Sequence, residues 1–408
     1  MNISLCGPTA LRVLRALRQG QLGPLSARRA PLNEPVPPSK RWTRASIKGA
    51  LGHIACLADL LEGGTIDVAV PGKQSRIRCA GVRSTIFEAS IRGKAFLDIG
   101  RGVQISSPEL LFLEMAQTLD LPSLLLLGIE LCGTYSLPPT SEGTVRYGIR
   151  PVTSSVRLRS FLQMTSNARG SSAVEEALEH LLDNAWSPME AILATMTVLP
   201  IDRYGLDLGP IVLNRRIEPS EGAPTCKPSR VPDILIAGTN VGMNYDGDGH
   251  FGIEDLARSA HEACLHPESA ALAGELLDAK RGLRERIVDD KRRDRDLRIM
   301  GYEVLPVTAE DLYRPEDFDV LVRQLIHLLE RADSRRGRRA KAMVGRKAFV
   351  RRQHELLKSL LPGRDAVAAR ERLALLDAPT GPLADVLSIA ADDEWISVPS
   401  FAESRSQG

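Results

Sequence analysis

The first half of the chain contains short runs whose apolar and polar positions alternate. Residues 65–70, Thr-Ile-Asp-Val-Ala-Val, alternate in this way and are followed by Pro71-Gly72, so we predict a strand that ends in a turn. Residues 103–105, Val-Gln-Ile, predict a second short extended run. Together these runs predict a small α+β module over residues 46–135.

A dense apolar stretch follows the second of these strands. Ser106 and Glu109 have capping-box spacing, and Pro108 suits the first turn of a helix, so a helix start is predicted there. The apolar run from Leu110 to Leu131 is too interrupted for a membrane span of about 20 clean apolar residues. A buried helix, a turn and a second helix fit it better, because Glu114, Asp120, Pro122 and Glu130 break the run.

The second half predicts an α/β arrangement. Helices are predicted from Ser172 and from Ser187, the latter running to about Leu199. Strands are predicted over residues 211–217, 233–237, 241–246 and 302–307, and helices over residues 252–299, with a break near Pro267, and 309–330. The residues from Asp233 are almost continuously apolar, which is typical of a strand buried on both faces.

These patterns predict five segments. Residues 1–45 are a flexible basic arm, 46–135 the small α+β module, 136–170 a polar linker, 171–330 a second α/β domain, and 331–408 a basic helical segment with a mobile tail.

Composition adds only broad constraints. The chain has 408 residues, 43% hydrophobic and 25% charged, with a net charge of +2, so any nucleic-acid surface must come from local clustering of charge. The six cysteines are scattered, without a C-x-x-C pair, which argues against a structural zinc site and against a disulfide framework. We therefore expect a reducing cytoplasmic location.

One ordered set of motifs carries candidate chemistry. Pro232-Asp233 starts a predicted strand, and residues 244–250, Asn-Tyr-Asp-Gly-Asp-Gly-His, end the next one. Residues 290–294, Asp-Lys-Arg-Arg-Asp, lie on a predicted helix, and residues 301–304, Gly-Tyr-Glu-Val, start the last strand. In this order the motifs resemble the very-short-patch-repair (Vsr) endonuclease-like group of the PD-(D/E)XK superfamily. The resemblance implies that residues 171–330 form an αβββαβ restriction-endonuclease-like core.

The resemblance also implies roles for single residues. Asp233 and Asp246 would be metal ligands, with Mg²⁺ the expected ion because hard cations prefer oxygen ligands. His250 would shuttle a proton or contact phosphate, and Glu190 would be a helical carboxylate of the site. Asp290, Arg293 and Asp294 would lie on the supporting helix.

The chain departs from this group at one position. Asn244 stands where the group usually carries a glutamate, two residues before Asp-Gly. Positions 244 and 246 share a strand face, so the change removes one negative charge from the expected site. Weaker metal binding is expected as a result.

Simpler interpretations stay open for the same residues. Asp233 and the Asp-Gly pairs after position 245 are also typical of turns, and Glu190 is also explained by a capping box with Ser187. The run Lys291-Arg292-Arg293 is also typical of the solvated face of a helix.

A second resemblance concerns the first half. Residues 102–109, Gly-Val-Gln-Ile-Ser-Ser-Pro-Glu, followed by an apolar helix, resemble the module that AbiEi-type antitoxins place before a Vsr-like domain. Those proteins act as transcriptional regulators and normally begin with a winged helix-turn-helix. No such motif is recognisable in residues 1–60, which puts operator binding in doubt.

The segment from Arg331 to Arg352 contains ten basic residues and one acidic residue. It is either a surface that tracks phosphates or a solvated connector. On the first interpretation the nucleic-acid contacts would come from Arg335, Arg336, Arg338, Arg339 and Lys341.

The sequence therefore leads to two hypotheses. The chain is a DNA-interacting, metal-dependent endonuclease that uses Asp233 and Asp246, or it is an inactive nuclease-fold protein. In the second case it would act as an antitoxin-like transcriptional regulator or as a protein-binding module. DNA is the expected partner under the first hypothesis, and DNA or a protein partner under the second.

Overall fold

The structure is a computed structural model that describes residues 2–22, 34–37, 42–87, 91, 93–165, 168–247, 253–266, 268–332 and 337–377. The fold is mixed α/β with two mixed sheets. The chain divides into two compact units, Met1–Ala191 and Ile192–Gly408, and each unit contains one of the sheets.

A five-stranded sheet forms the centre of the first unit. Its order is β3-β2-β1-β5-β4, in which β1 pairs in parallel with β5 and antiparallel with β2. The pair β2–β3 is parallel and the pair β4–β5 is antiparallel. The strands are β1 Ile3–Leu5, β2 Ile66–Val70, β3 Val82–Ile86, β4 Phe96–Gly100 and β5 Val103–Ser106.

Helices complete the hydrophobic core of this unit. The apolar stretch after β5 forms two helices with a turn between them, as predicted. Ser107, and not Ser106, is the N-cap of the first of them, because its side chain accepts a hydrogen bond from the N–H of Leu110. The helices are α1 Gly7–Arg18, α2 Arg44–Leu51, α3 Ala58–Glu62, α4 Pro108–Met115, α5 Leu121–Cys132, α6 Ser155–Met164 and α7 Ser171–His180, with 3₁₀ turns at Ala55–Leu57 and Lys73–Ser75.

The prediction of a flexible arm is wrong for the start of the chain. Residues 3–18 form β1 and α1, and β1 is the middle strand of the sheet. Three residues are too few to show a strand period. The strand is held by pairing with β2 and β5, more than 60 residues away along the chain, so no local pattern reveals it.

The predicted linker is also wrong in part. Residues 155–164 form α6, and Leu158, Phe161 and Leu162 are buried in the core of the first unit. Val174, Ala177 and Leu178 of α7 join the same core, although α7 was predicted to begin the second domain. The boundary between the units lies between Ala191 and Ile192, inside α8 (Pro188–Val198), because apolar packing continues past the polar loop of residues 136–154.

The second unit contains a four-stranded sheet of order β6-β7-β8-β9. The pairs β6–β7 and β7–β8 are antiparallel, and β8–β9 is parallel. The strands are β6 Ile211–Leu213, β7 Ile234–Ile236, β8 Val241–Asp246 and β9 Glu303–Thr308. The predicted strands are therefore found, although the first ends four residues earlier than expected.

Between β8 and β9 the chain forms two helices, α9 Ile253–Leu265 and α10 Ala270–Ile299, which pack against each other. The predicted single helix over residues 309–330 is divided into α11 Ala309–Tyr313 and α12 Pro315–Ala332, since Pro315 begins a new helix. The basic segment is helical, with α13 Arg338–Val344, α14 Lys347–Leu360 and α15 Ala366–Asp377. A 3₁₀ turn occupies Ile201–Arg203, and the predicted mobile tail lies outside the described residues beyond position 377.

Two observations bear on the environment of the chain. Within the described ranges, no helix combines the length and apolar character needed to cross a bilayer. All six cysteines are free thiols.

A carboxylate of the first unit lies at the start of α1. Glu114 accepts hydrogen bonds from the N–H of Gly7, at 2.8 Å, and from the hydroxyl of Ser106, at 2.9 Å. A carboxylate is favoured at a helix N-terminus because the first N–H groups there have no partner within the helix. Burial nevertheless raises the pKa of Glu114 to about 7, against the smaller, lowering effect of these two hydrogen bonds.

Replacement of Glu114 by glutamine should flatten the pH dependence of stability. A folded-state pKa of about 7 lies above the ordinary value of 4.5, so the wild type should lose stability as pH rises between these values. The loss should be about 1–3 kcal/mol, because the residue as a whole retains some exposure. Urea unfolding at pH 5 and pH 8 measures it; a Glu114→Gln variant as pH-sensitive as the wild type would contradict the assignment.

Candidate functional site

The predicted site residues Asp233 and Asn244 meet at the end of the β7–β8 pair. The register Ile234↔Met243 places Asp233 opposite Asn244. The N–H of Asp233 donates to Oδ1 of Asn244 at 3.1 Å, and the N–H of Tyr245 donates to Oδ2 of Asp233 at 2.6 Å. Both side chains therefore continue the hydrogen bonding of the ladder past its last backbone pair.

Close backbone packing fixes this part of the sheet. A side chain at Gly242 would begin 2.4 Å from the carbonyl oxygen of Ile234 on the neighbouring strand, so only glycine fits there. Asn244 is almost fully buried, with 1% of its surface exposed. A buried side-chain amide needs hydrogen-bond partners, and the N–H of Asp233 is one of them.

Asp246 lies two residues beyond Asn244 on β8 and forms an ion pair with Arg293 of α10. Nη2 of Arg293 lies 2.8 Å from Oδ1 of Asp246 and 3.6 Å from Oδ1 of Asp290. Less than a fifth of either the Arg293 or the Asp246 side chain is exposed. This is a partly buried, charge-assisted contact, and such contacts are stronger than pairs on an open surface.

The carboxylates around Arg293 favour its charged form. Burial by itself lowers the pKa of Arg293, but the hydrogen bond that Arg293 donates to Asp246 and the negative charges of Asp246, Asp290 and Asp233 outweigh burial. The net effect raises the pKa of the guanidinium. Three carboxylates thus share one permanent protein cation.

A second ion pair fixes the same helix. Arg230 and Asp296 are both buried, and Nε of Arg230 donates to Oδ2 of Asp296 at 2.8 Å. The other oxygen of Asp296 accepts from the N–H of Cys226, also at 2.8 Å. Burial raises the pKa of Asp296, but the hydrogen bonds from Cys226 and Arg230 together lower it below its usual value.

Gly301 forms the turn that ends α10. This glycine has φ +84°, its N–H donates to the carbonyl of Arg298, and the N–H of Tyr302 donates to the carbonyl of Leu297. These bonds form a Schellman motif, whose left-handed residue favours glycine. Leu297 packs with Tyr302 and Val304, so the Gly-Tyr-x-Val motif ends the helix and begins β9.

Glu190 has a local structural role. Oε2 of Glu190 accepts from the N–H of Trp186, while the N–H of Glu190 donates to the hydroxyl of Ser187. The bond to Ser187 is one half of the capping box that the sequence allowed as an alternative, while the carboxylate of Glu190 binds Trp186, one residue before Ser187. Glu190 belongs to the first unit, whereas the other predicted site residues belong to the second.

The remaining predicted residues divide into two groups. His250, Arg335 and Arg336 lie outside the described residues. Arg339 contacts Asp207 at 3.2 Å, and Lys341 contacts Glu330 at 2.8 Å. Two of the predicted nucleic-acid contacts are therefore engaged with carboxylates of the same unit, and Arg338 also has a partner.

The donor set fits Mg²⁺ poorly. One oxygen of Asp233, the oxygen of Asn244 and one oxygen of Asp246 each accept a hydrogen bond from a protein N–H group. Among the residues that the structure describes, no group of three or more His, Cys, Asp or Glu side chains is placed to hold a metal ion. Mg²⁺ demands near-octahedral oxygen ligands, and a fixed guanidinium beside Asp246 repels a second cation.

Sequence reasoning placed Arg293 on the right helix but missed that it pairs with Asp246. The spacing of Asp290 and Arg293, three residues apart on a helix, indicates only their mutual contact. The pair Arg230–Asp296 had no sequence signal, because it joins a loop and a helix 66 residues apart.

No protein-family model matches the chain, and no curated protein or solved structure is significantly similar to it.

Replacement of Arg293 by methionine should destabilise the second unit by about 1–3 kcal/mol, because it leaves Asp246 partly buried without its charged partner. The matched control is Arg292→Met, one residue earlier on the exposed side of α10, which should change stability by less than about 0.5 kcal/mol. Urea unfolding of both variants measures the difference. Equal losses from the two variants would show that the Arg293–Asp246 contact contributes nothing specific.

Proposed function

We propose that this chain is a nuclease-fold protein that binds DNA without cutting it, as a transcriptional regulator would. The proposal combines the expected PD-(D/E)XK-like character of the second unit with a site in which Arg293 supplies the positive charge. The contact of Arg293 with Asp246, at 2.8 Å, is the observation that carries it.

The order of elements supports the nuclease-like part. Helix α8 precedes three antiparallel strands, helices follow β8, and β9 then pairs in parallel with β8 before α11 and α12. This order agrees with the αβββαβ core that the motif resemblance implies. Asp233 stands at the start of the second of these strands, and Asn244 and Asp246 lie on the third.

The site itself argues against cleavage. Metal-dependent hydrolysis of a phosphodiester needs a cation that both stabilises phosphate charge and activates water. Arg293 can offset carboxylate charge, but a guanidinium does not deprotonate, and so it cannot generate hydroxide. Asn244 supplies a neutral oxygen that already accepts the N–H of Asp233.

The test is a plasmid-cleavage assay with Mg²⁺ or Mn²⁺, comparing the wild type with Asp233→Ala. We expect no metal-dependent cutting by either protein, together with retarded migration of DNA by both in a gel-shift assay at low salt. Cutting by the wild type that Asp233→Ala abolishes would overturn the proposal in favour of a metal-dependent endonuclease. Absence of DNA binding at low salt would overturn the DNA-binding part.

A metal site should be recoverable by two substitutions. Asn244→Asp keeps the size of the side chain and adds a charge, while Arg293→Met removes the competing cation. The double variant should bind Mn²⁺ at least about tenfold more tightly than the wild type, as measured by titration calorimetry. Asn244→Asp combined with Arg292→Met is the matched control, because it changes the net charge equally and leaves Arg293 in place. Equal affinity in both double variants would contradict the blocking role of Arg293.

A further inference from the structure

Helix α10 carries charges of both signs, but part of its exposed surface carries only cations. Near its C-terminal end, Arg293, Asp296 and Leu297 face the rest of the second unit. The opposite side carries five cations, which we call the basic stripe: Lys280, Arg284, Lys291, Arg295 and Arg298. At 100° per residue these positions lie roughly 140–180° around the helix axis from Arg293.

The basic stripe is exposed and unneutralised. All five residues are exposed, and no described carboxylate lies within 4.0 Å of their charged groups. The carboxylate of α10 nearest to the stripe is Asp294, roughly 60° from the stripe centre and three to four residues from Lys291 and Arg298. By contrast, Asp289 and Asp296, on the anchored side of α10, pair with Lys227 and Arg230.

The dimensions of the basic stripe suit a nucleic-acid duplex. From Lys280 to Arg298 it spans roughly 27 Å at 1.5 Å per residue. A helix with its side chains is about 10–12 Å wide, which matches the width of the major groove. At the C-terminal end, Lys291, Arg292, Arg295 and Arg298 share an open depression on the surface of α10 with Asp294, Ile287 and Val288.

We infer that the basic stripe of α10 is the surface that binds the phosphate backbone of duplex DNA. This inference rests on the proposed function, and it moves the contact surface away from residues 335–341. The five exposed cations of the stripe form no ion pair with a described carboxylate and can complement a polyanion, whereas Arg339 and Lys341 already contact Asp207 and Glu330.

An anionic membrane would also attract cations, but the composition of α10 fits it less well. Helices that lie in a membrane interface carry large apolar residues, often aromatic, opposite their basic face. The sequence of α10 contains no aromatic residue. The apolar residues that are exposed near the stripe are Leu277, Ile287 and Val288.

The experiment compares two triple variants of the full chain by fluorescence anisotropy with a labelled duplex of mixed sequence. The stripe variant is Lys291→Gln/Arg295→Gln/Arg298→Gln, and the matched control is Arg338→Gln/Arg339→Gln/Lys341→Gln, which removes the same charge. Each lost phosphate contact should lower the slope of log K against log salt by about 0.9, so three should lower it by about 2.7. At 0.1 M salt the stripe variant should bind about two to three orders of magnitude more weakly, and the control nearly as well as the wild type.

The outcomes separate this inference from the proposed function. If the wild type does not bind DNA at low salt, the proposed function fails. If the wild type binds and the control loses affinity while the stripe variant does not, the DNA-binding function stands and the stripe is the wrong surface. Binding to anionic vesicles that depends on the stripe, with DNA binding unaffected by it, also overturns the inference. Circular dichroism of both variants checks that α10 remains helical.

Discussion

The second unit depends on the ion pair between Arg293 and Asp246. In α10, Asp296 and Leu297 are the fully buried residues, so apolar burial alone gives this long helix little attachment. Besides packing on α9, the helix is joined to the rest of the unit by charged contacts, among them Arg293 with Asp246 and Arg230 with Asp296. A buried charge without its partner costs far more free energy than a paired one. Rotation of α10 about its axis would separate these pairs, so the contacts specify the orientation of the helix even if their net contribution to stability is small.

The same pair determines what the site can do. A carboxylate cluster attracts cations, and a protein can satisfy it with a metal ion or with its own side chain. Here the guanidinium is covalently part of the chain, so its local concentration is always high and it need not be bound from solution. A divalent ion must displace it and also compete for oxygens that already accept N–H groups from Asp233 and Tyr245. The neutral amide of Asn244 and the Arg293 contact act in the same direction, since each reduces the attraction of the site for a second cation.

Periodicity and capping signals predicted several elements at or close to their observed bounds. The run from Val241 to Asp246 forms β8 over the same residues, the Ser187 signal begins α8, and the helical region is broken near Pro267 as expected. Elements fixed by distant partners could not be predicted in this way. Strand β1 is one of these, since it pairs with β2 and β5. Helix α6 is different: the Ser154 N-cap and the helical spacing of Leu158, Phe161 and Leu162 are local signals that the prediction missed. The nuclease-like identity of the core and the metal role of Asp233 and Asp246 stay predictions.

The paired and the unpaired charges of α10 lie on different sides of the helix. If the helix were simply a solvated element, both signs would be expected on its exposed side, because oppositely charged neighbours three or four residues apart stabilise a helix. Both signs do occur on the exposed surface of α10, where Asp278 pairs with Arg281, but the five cations of the basic stripe form no ion pair with a described carboxylate. A net charge of only +2 for the whole chain conceals this separation. Uncompensated cations repel each other along the helix and reduce its stability, so the arrangement has a cost that a polyanionic partner would remove.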